Sequence, residues 1–366
     1  LTIGCAMIFM KVIEGSGALD ALSSLIIEKF HRFPAVLLVL IMLIIMFPGM
    51  ITGSSTAAVL SAGSIMAPVL ALMGIDAVTS GSIIAMGALL GMIAPPVNTA
   101  ALIICAGIDV PYVGFEGPLA LITFPLAILF VLLLGYKQAR HMDYEKLKPA
   151  LEKQDAIRKQ YGVRIYIPLL VLVALMVIFK VLKLGEDIGM PLMFLISAAV
   201  GLFTGKKINV LTAVPEAIRT AAPVMGILMG VGMFIEVMTA TGVRGLVVIS
   251  CLRLPSTLWL LACAISIPLF GAVSSYGACS VLGVPFAYIY ASLLGGNSVV
   301  VLAAISLIAA VGDMMPPTAL AGLFAAQVTG VEKYTEILKR CIVPIIILLV
   351  YACFFLANSK LIAGLF

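Results

Sequence analysis

The hydrophobic positions of this chain form long uninterrupted runs rather than the spaced pattern of a soluble helix. Apolar windows close to the length of a membrane span recur, for example at 34–50, 118–136, 165–181 and 342–361. A helix of about 20 apolar residues crosses the hydrocarbon core of a bilayer. We therefore predict an all-α polytopic membrane protein with about ten crossing or re-entrant segments.

Landmarks of the first half return in the second half in the same order. GMIAPP at 91–96 matches GDMMPP at 312–317, an offset of 221 residues, and FMKVIEGSG at 9–17 matches FIEVMTATG at 234–242, an offset of 225. Between these landmarks lie two small-residue clusters, GSSTAA at 53–58 and SSYGA at 274–278. Paired segments interrupted by Gly, Pro and Ser are typical of secondary transporters, whose sites form where broken helices of two repeats meet.

This repeat predicts three regions: a first repeat at 1–135, a charged linker at 136–164 and a second repeat at 165–366. Residues 137–164 contain eight Lys/Arg and four Asp/Glu, so the positive-inside rule predicts a cytoplasmic linker. Two spans then return the chain to Lys206 on the same side, which predicts inverted repeats with re-entrant hairpins and Pro-broken helices. The first repeat lacks two opening helices, so we expect roughly 60 further residues before residue 1.

Composition narrows the function classes. The chain is 63% hydrophobic and 11% charged, with a mean hydropathy of +1.24, whereas soluble domains carry about 25% charged residues. The net charge of +5 comes largely from the linker and does not indicate nucleic-acid binding. We find no phosphate-binding loop and no hydrolytic constellation, and the Cys and His residues suggest no metal site. We therefore expect neither an enzyme nor a bound cofactor; the lipid bilayer is the expected surrounding.

The two small-residue clusters are the first candidate for chemistry. A helix that unwinds within the membrane must satisfy its freed backbone groups, and hydroxyl and carbonyl oxygens at such a point suit Na⁺. The alternative is that small residues only permit close helix packing. The candidate ion ligands from the clusters are Ser54, Ser55, Thr56, Ser274, Ser275 and Gly277.

The two Pro-Pro pairs are the second candidate. Consecutive prolines remove two backbone donors and end a helix, so the carbonyl groups of the preceding turn become candidate ion ligands. The half-helix beyond each pair presents N–H groups that can face an anion. The alternative is a simple kink. The candidate ion ligands are Gly91, Ala94 and Met315, and the candidate substrate contacts are Asn98, Thr99, Thr318 and Ala319.

Ionisable residues within apolar segments are the third candidate, because charges at membrane depth are costly and usually functional. Asp313 lies just before the second Pro-Pro pair and is the strongest candidate for a cation ligand or proton carrier. Lys11 and Glu236 occupy matching positions in the two repeats. Both could be structural, or Lys11 could help to neutralise an acidic substrate.

The run from Gly53 through Gly63-Ser64-Ile65, Pro68 and Gly74 to Pro96 resembles the large membrane subunit of TRAP transporters. The resemblance is strong over about 47–136 and weaker in the second repeat. It implies an elevator mechanism, Na⁺ as the coupling ion, a carboxylate (organic-acid) substrate and the bacterial inner membrane. It also implies two partners, a small membrane subunit and a periplasmic substrate-binding protein.

Carried over by position, the resemblance divides the candidate ligands into two ion sites. The first contains Ser54, Ser55, Thr56 and the carbonyl groups from Gly91 to Ala94. The second cluster has no acidic residue where the family often has one, and Asp313 is taken as its substitute. The second site then contains Ser274, Ser275, Gly277, Asp313 and Met315, with Asn98 and Thr318 across the pseudo-symmetry axis as substrate contacts.

Other functions remain open from the sequence. A stand-alone permease related to dicarboxylate or gluconate carriers, driven by H⁺ or Na⁺, would suit Asp313 equally well. A non-transporting membrane subunit should have continuous spans, and a channel should show a polar filter ring; neither pattern is visible. The chain could also form a homo-oligomer.

Overall fold

Helices form the regular structure of the first half. The computed structural model describes residues 2–140, 156–182, 186–243 and 255–366, together with positions 246, 249, 250 and 253. Position 1, the linker residues 141–155, and positions 183–185, 244–245, 247–248, 251–252 and 254 lie outside this description. The helices of the first half are α1 (Thr2–Ser16), α2 (Ala18–Phe30), α3 (Pro34–Thr52), α4 (Ser55–Leu72), α5 (Ala77–Ile93), α6 (Thr99–Gly107) and α7 (Glu116–Ala139).

The second half contains the longer helices. It opens with helical residues 156–161 and the 3-10 turn Gly162–Tyr166. The helices that follow are α8 (Ile167–Leu182), α9 (Glu186–Thr204), α10 (Val210–Ala240), α11 (Ser256–Ala287), α12 (Ser298–Ala310), α13 (Leu320–Thr329), α14 (Tyr334–Ala357) and α15 (Ser359–Ala363).

Local sequence explains where several helices begin and end. Asp76 caps α5, with its carboxylate accepting hydrogen bonds from the backbone and side chain of Thr79 at 2.9 and 2.8 Å, and Asn297 caps α12 by accepting from Val300. Such caps satisfy N–H groups that have no partner within the helix. At Gly53 the backbone turns left-handed, with φ of 63°, and α3 ends because glycine adopts this conformation without steric cost.

The membrane character of the fold is plain. Six helical stretches within the described ranges are long and apolar enough to cross a bilayer. Large apolar side chains such as Phe203 and Val350 point outward from the protein, which is unfavourable in water and favourable in lipid. The predicted all-α polytopic class is confirmed.

The two halves share one large core. α3 packs on α5 and α11 packs on α12, and these pairs are joined by contacts of α5 with α13 and α14 and of α12 with α6 and α7. A second, smaller cluster holds α1 against α9 and includes Ile51 and Val97 from the first half. The repeats are therefore interleaved rather than separate.

One predicted boundary is wrong. The amphipathic pattern of the sequence at 211–219 predicts a short interfacial helix, but this segment forms the first turns of α10, which continues to Ala240. A helix of 31 residues is about 46 Å long, which exceeds the thickness of the hydrocarbon core. Because the helix is longer than the hydrocarbon core is thick, its first turns can be polar. These turns contain Glu216 and Arg219 and resemble a separate amphipathic helix in the sequence.

Candidate functional site

The first small-residue cluster forms a helix break. After α3 ends at Gly53, the side chain of Ser54 accepts a hydrogen bond from the backbone of Ala57 at 3.3 Å and so starts α4. The carbonyl group of Gly53 accepts a hydrogen bond from the Thr99 hydroxyl at 2.7 Å. The break is thus tied to the half-helix that follows the first Pro-Pro pair.

The second cluster differs from the first. Residues 274–278 lie inside α11, which is continuous from Ser256 to Ala287, so the turn expected there is absent. Gly277 is buried and its φ is not in the left-handed region, unlike that of Gly53. The side chains of Ser274 and Ser275 lie outside the description, and their predicted role as ion ligands stays a prediction.

Both Pro-Pro pairs interrupt the helices as expected, and both lie beside a close helix crossing. A Cβ atom built on Gly91 would lie 2.5 Å from the carbonyl oxygen of Met46, and one on Gly271 would lie 2.3 Å from the Cα of Gly312. Backbone can approach this closely only where side chains are missing. α3 therefore touches the turn before the first pair, and α11 touches the turn before the second.

Asp313 forms the centre of the site. It is fully buried in a 3-10 turn, Val311–Met314, at the end of α12. Its Oδ2 accepts a short hydrogen bond from the Ser55 hydroxyl, and its Oδ1 accepts one from the backbone N–H of Tyr276 at 3.1 Å. Ser55 and Asp313 are 258 residues apart, so this contact joins the two repeats at the two breaks.

Thr99 extends this site. Its hydroxyl bonds to Gly53, and its side chain also interacts with that of Tyr276. The structure thus brings together predicted residues from both repeats, Ser55, Thr99 and Asp313. Tyr276, which the sequence analysis did not select, stands 221 residues after Ser55, the same offset that relates the two Pro-Pro motifs. That offset is the signal that could have identified it.

Asn98 has a different setting from the one expected of a substrate contact. Its amide nitrogen donates to the carbonyl group of Ile93 at 3.1 Å and to the hydroxyl of Ser306 at 2.8 Å, and its amide oxygen accepts from the backbone of Ala101 at 2.9 Å. The side chain is completely buried. In this conformation Asn98 caps α6 and links it to α12.

The other predicted residues of the second break are Met315, Thr318 and Ala319, and Ala319 is fully buried. Thr318 is half-buried, and its hydroxyl donates to Gly271 at 2.8 Å and to Met315 at 3.3 Å. The carbonyl group of Met315 also accepts from the backbone of Ala319 at 2.9 Å. Ala319 has φ of 28° and starts α13 without a side-chain cap. The prolines of this break are exposed, whereas Pro96 of the first is buried.

The remaining candidates of the first break surround Ser55. Thr56 is half-buried one position further along α4. Gly91 accepts a hydrogen bond from the backbone of Ala94 at 3.2 Å, and Ala94 ends α5 in an extended conformation. Each of these residues lies at or near the end of a helix that borders the break.

Lys11 takes part in a separate cluster. Its ammonium group pairs with Glu14 at 3.1 Å and with Glu216 at 3.4 Å, which joins α1 to α10. Glu236, its counterpart in the repeat, is exposed on α10. These contacts account for Lys11 as a structural residue between two helices.

The chemistry at the centre is that of hard oxygen ligands. One carboxylate, one hydroxyl and nearby backbone carbonyl groups meet where two helices are interrupted, a setting in which transporters hold small cations. A carboxylate buried in a membrane protein is stabilised by a proton, a cation or several hydrogen bonds. Binding and release of an ion, rather than bond cleavage, is what this arrangement can perform.

Comparison with protein families identifies the chain. Residues 1–359 match the family described as "Tripartite ATP-independent periplasmic transporter, DctM component". A comparison with curated proteins finds none that matches. The match covers nearly the whole chain and agrees with the paired helix breaks, so a transport role is established and an enzymatic one is not indicated. The chain belongs to the DctM family, the large membrane permease component of TRAP transporters.

Proposed function

We propose that this permease imports an organic acid across the bacterial inner membrane, driven by Na⁺, by an elevator movement of the helices that carry the two breaks. The observation that carries the proposal is the buried Asp313 carboxylate, held by Ser55 of one repeat and Tyr276 of the other. An ion that binds here contacts both repeats at once. Its binding energy can therefore favour one arrangement of the two halves.

The residues divide into two groups under this proposal. The cation lies beside Asp313 and Ser55, with Ser54, Thr56, Gly277 and the carbonyl groups near Gly91, Ala94 and Met315 in the surrounding turns; the roles of Ser274 and Ser275 remain predictions from the sequence. The carboxylate substrate lies by the second break, at Thr318 and Ala319, where a half-helix begins just after the exposed Pro316 and Pro317. Thr99 contacts Gly53 and Tyr276 and therefore borders the cation.

The family generally works with a small membrane subunit and a periplasmic binding protein, and we propose that this chain does so. The test is uptake of radiolabelled organic acids into liposomes that contain the full-length chain. Liposomes with and without the two partners are compared under an inward Na⁺ gradient, an H⁺ gradient, and neither. Uptake that needs Na⁺ and both partners supports the proposal.

Asp313→Asn is the central variant. It removes the charge but keeps the shape, and we expect it to abolish ion-driven uptake because a neutral amide holds a cation far less strongly. Asp109→Asn is the matched control, since Asp109 is exposed in the turn after α6 and asparagine tolerates its left-handed φ of 54°. Full uptake by Asp313→Asn would remove this carboxylate from the mechanism.

A second candidate is a stand-alone permease driven by H⁺. The complete burial of the Asp313 carboxyl group favours it, because a proton is one way to stabilise a carboxylate inside a membrane protein. Uptake by the chain alone under an H⁺ gradient, without Na⁺, would establish this function instead.

A further inference from the structure

The two Pro-Pro breaks differ in how their backbone groups are satisfied. At the first break, the hydroxyl of Tyr112 donates to the carbonyl group of Pro96 at 3.1 Å and accepts from the backbone N–H of Asn98 at 3.2 Å. The N–H of Val97 donates to the carbonyl group of Met50 at 3.1 Å. One tyrosine hydroxyl therefore bridges the backbone on both sides of Val97.

The loop after α6 holds this tyrosine in place. The chain reverses at Asp109, with φ of 54°, and at Gly114, with φ of 76°. The ring of Tyr112 stacks on Phe115 with 4.7 Å between the ring centroids and 13° between the planes, and Phe115 is almost fully buried. The hydroxyl position is thus set by packing and not only by its hydrogen bonds.

Among the residues that the structure describes, no loop tyrosine bridges the second break in this way. The position 221 residues after Tyr112 is Lys333, which is exposed at the start of α14. The hydroxyl that bonds near the second break is that of Thr318, a residue of the break itself. The tyrosine bridge therefore belongs to the first repeat alone and is not part of the structure that the two repeats share.

We propose that Tyr112 is a positioning residue for the ion site. Its hydroxyl fixes the backbone of Asn98, the next residue Thr99 bonds to Gly53, and Gly53 precedes the turn that presents Ser55 to Asp313. The proposal rests on the proposed ion site at Asp313. Tyr112 itself contacts neither the ion nor the substrate.

The test compares Tyr112→Phe with Tyr351→Phe in the full chain with its partners. Phenylalanine keeps the stacking on Phe115 and removes only the hydroxyl. Tyr351 is the matched control because its hydroxyl also donates to a backbone carbonyl group, that of Leu121 at 3.1 Å, away from both breaks.

We expect Tyr112→Phe to raise the Na⁺ concentration for half-maximal uptake about three- to ten-fold, the loss expected for one or two hydrogen bonds. The maximal rate should change much less, and Tyr351→Phe should change neither. A general structural defect would instead lower the maximal rate and leave the Na⁺ dependence unaltered. An unaltered Na⁺ dependence in Tyr112→Phe would overturn the proposal.

Thr99→Val provides a second line of evidence, because it breaks the next link without touching Tyr112. If both act along one path, the double variant should have the same Na⁺ dependence as the weaker-binding single variant. If the two single effects on the Na⁺ dependence multiply in the double variant, Tyr112 and Thr99 do not act along one path.

Amide hydrogen exchange separates this proposal from the proposed function. We expect faster exchange at 97–101 and 53–57 in Tyr112→Phe and not in Tyr351→Phe, whether or not Na⁺ drives uptake. Absence of Na⁺-driven uptake in the unaltered chain would refute the proposed function alone. Unchanged exchange in Tyr112→Phe would refute the positioning role.

Discussion

The glycine crossings give the sharpest prediction of this fold. In Gly91→Ala the new methyl group would lie 2.5 Å from the Met46 carbonyl oxygen and 2.7 Å from its Cα. Because both neighbours are backbone atoms, no rotamer change relieves the overlap, and α3 must move away from α5. Gly271→Ala meets the Cα of Gly312 at 2.3 Å in the same way.

Such overpacking typically costs roughly 1–3 kcal/mol. With an unfolding entropy of about 2.1 cal/mol/K per residue, a chain of 366 residues should lose roughly 1–4 °C in apparent Tm. Moving α3 also displaces Gly53 and Ser55 from Asp313, so uptake should fall more steeply than stability.

The assay is the thermal loss of the monodisperse peak in detergent, followed by uptake in liposomes. Gly226→Ala is the matched control, since Gly226 lies within α10 and its added methyl group would meet nothing within 4 Å. The control should be as stable as the unaltered chain or slightly more so, because alanine favours helix. Equal stability and uptake in Gly91→Ala and Gly226→Ala would refute the close crossing.

Three other substitutions test the breaks and caps. Replacing Pro95-Pro96 with Ala-Ala should allow α5 to continue and abolish uptake; normal transport would mean that the break is only a kink. Asn98→Ala removes a buried cap and a link to α12, so we expect the free energy of unfolding to fall by about 1–3 kcal/mol. The measurement is a lower apparent Tm. Burial raises the pKa of Asp76, but hydrogen bonds from Thr79 and Gln138 outweigh it and hold this pKa below its usual value. The cap should therefore stabilise the protein at neutral pH and lose its effect as the pH falls below about 4; an Asp76→Ala variant that is as stable as the parent at pH 7 would contradict this.

The sequence predicted the break at 91–107 well because strong local signals mark both ends. Pro95-Pro96 cannot continue a helix, and the half-helix expected beyond the pair is α6 (Thr99–Gly107). Local signals were less reliable at the small-residue clusters, because glycine and serine occur both in helix breaks and in closely packed continuous helices. Gly53 and Gly277 both follow the small-residue pattern, but only Gly53 adopts a left-handed conformation. In the second repeat the flanking apolar residues continue the helix through the cluster.

The local sequence pattern could not predict the contacts between residues that are far apart in the chain. The pairing of Ser55 with Asp313 depends on how α4 and α12 pack, and the repeat offset relates Ser55 to Tyr276 rather than to Asp313. Tyr112 carried no signal, because a tyrosine in a loop is ordinary and its role depends on the backbone that it meets.

The position of Asp313 links the two proposed binding events. It lies three residues before the second Pro-Pro pair, and the carbonyl group of Met315 accepts hydrogen bonds from both Thr318 and Ala319. An ion that repositions Asp313 therefore acts on the same turn that begins the proposed substrate site. Because linkage between two sites is reciprocal, the substrate must raise the affinity for Na⁺ by the same factor by which Na⁺ raises the affinity for the substrate. Under the proposed function, one short turn is enough to couple the two sites, and no long pathway through the protein is required.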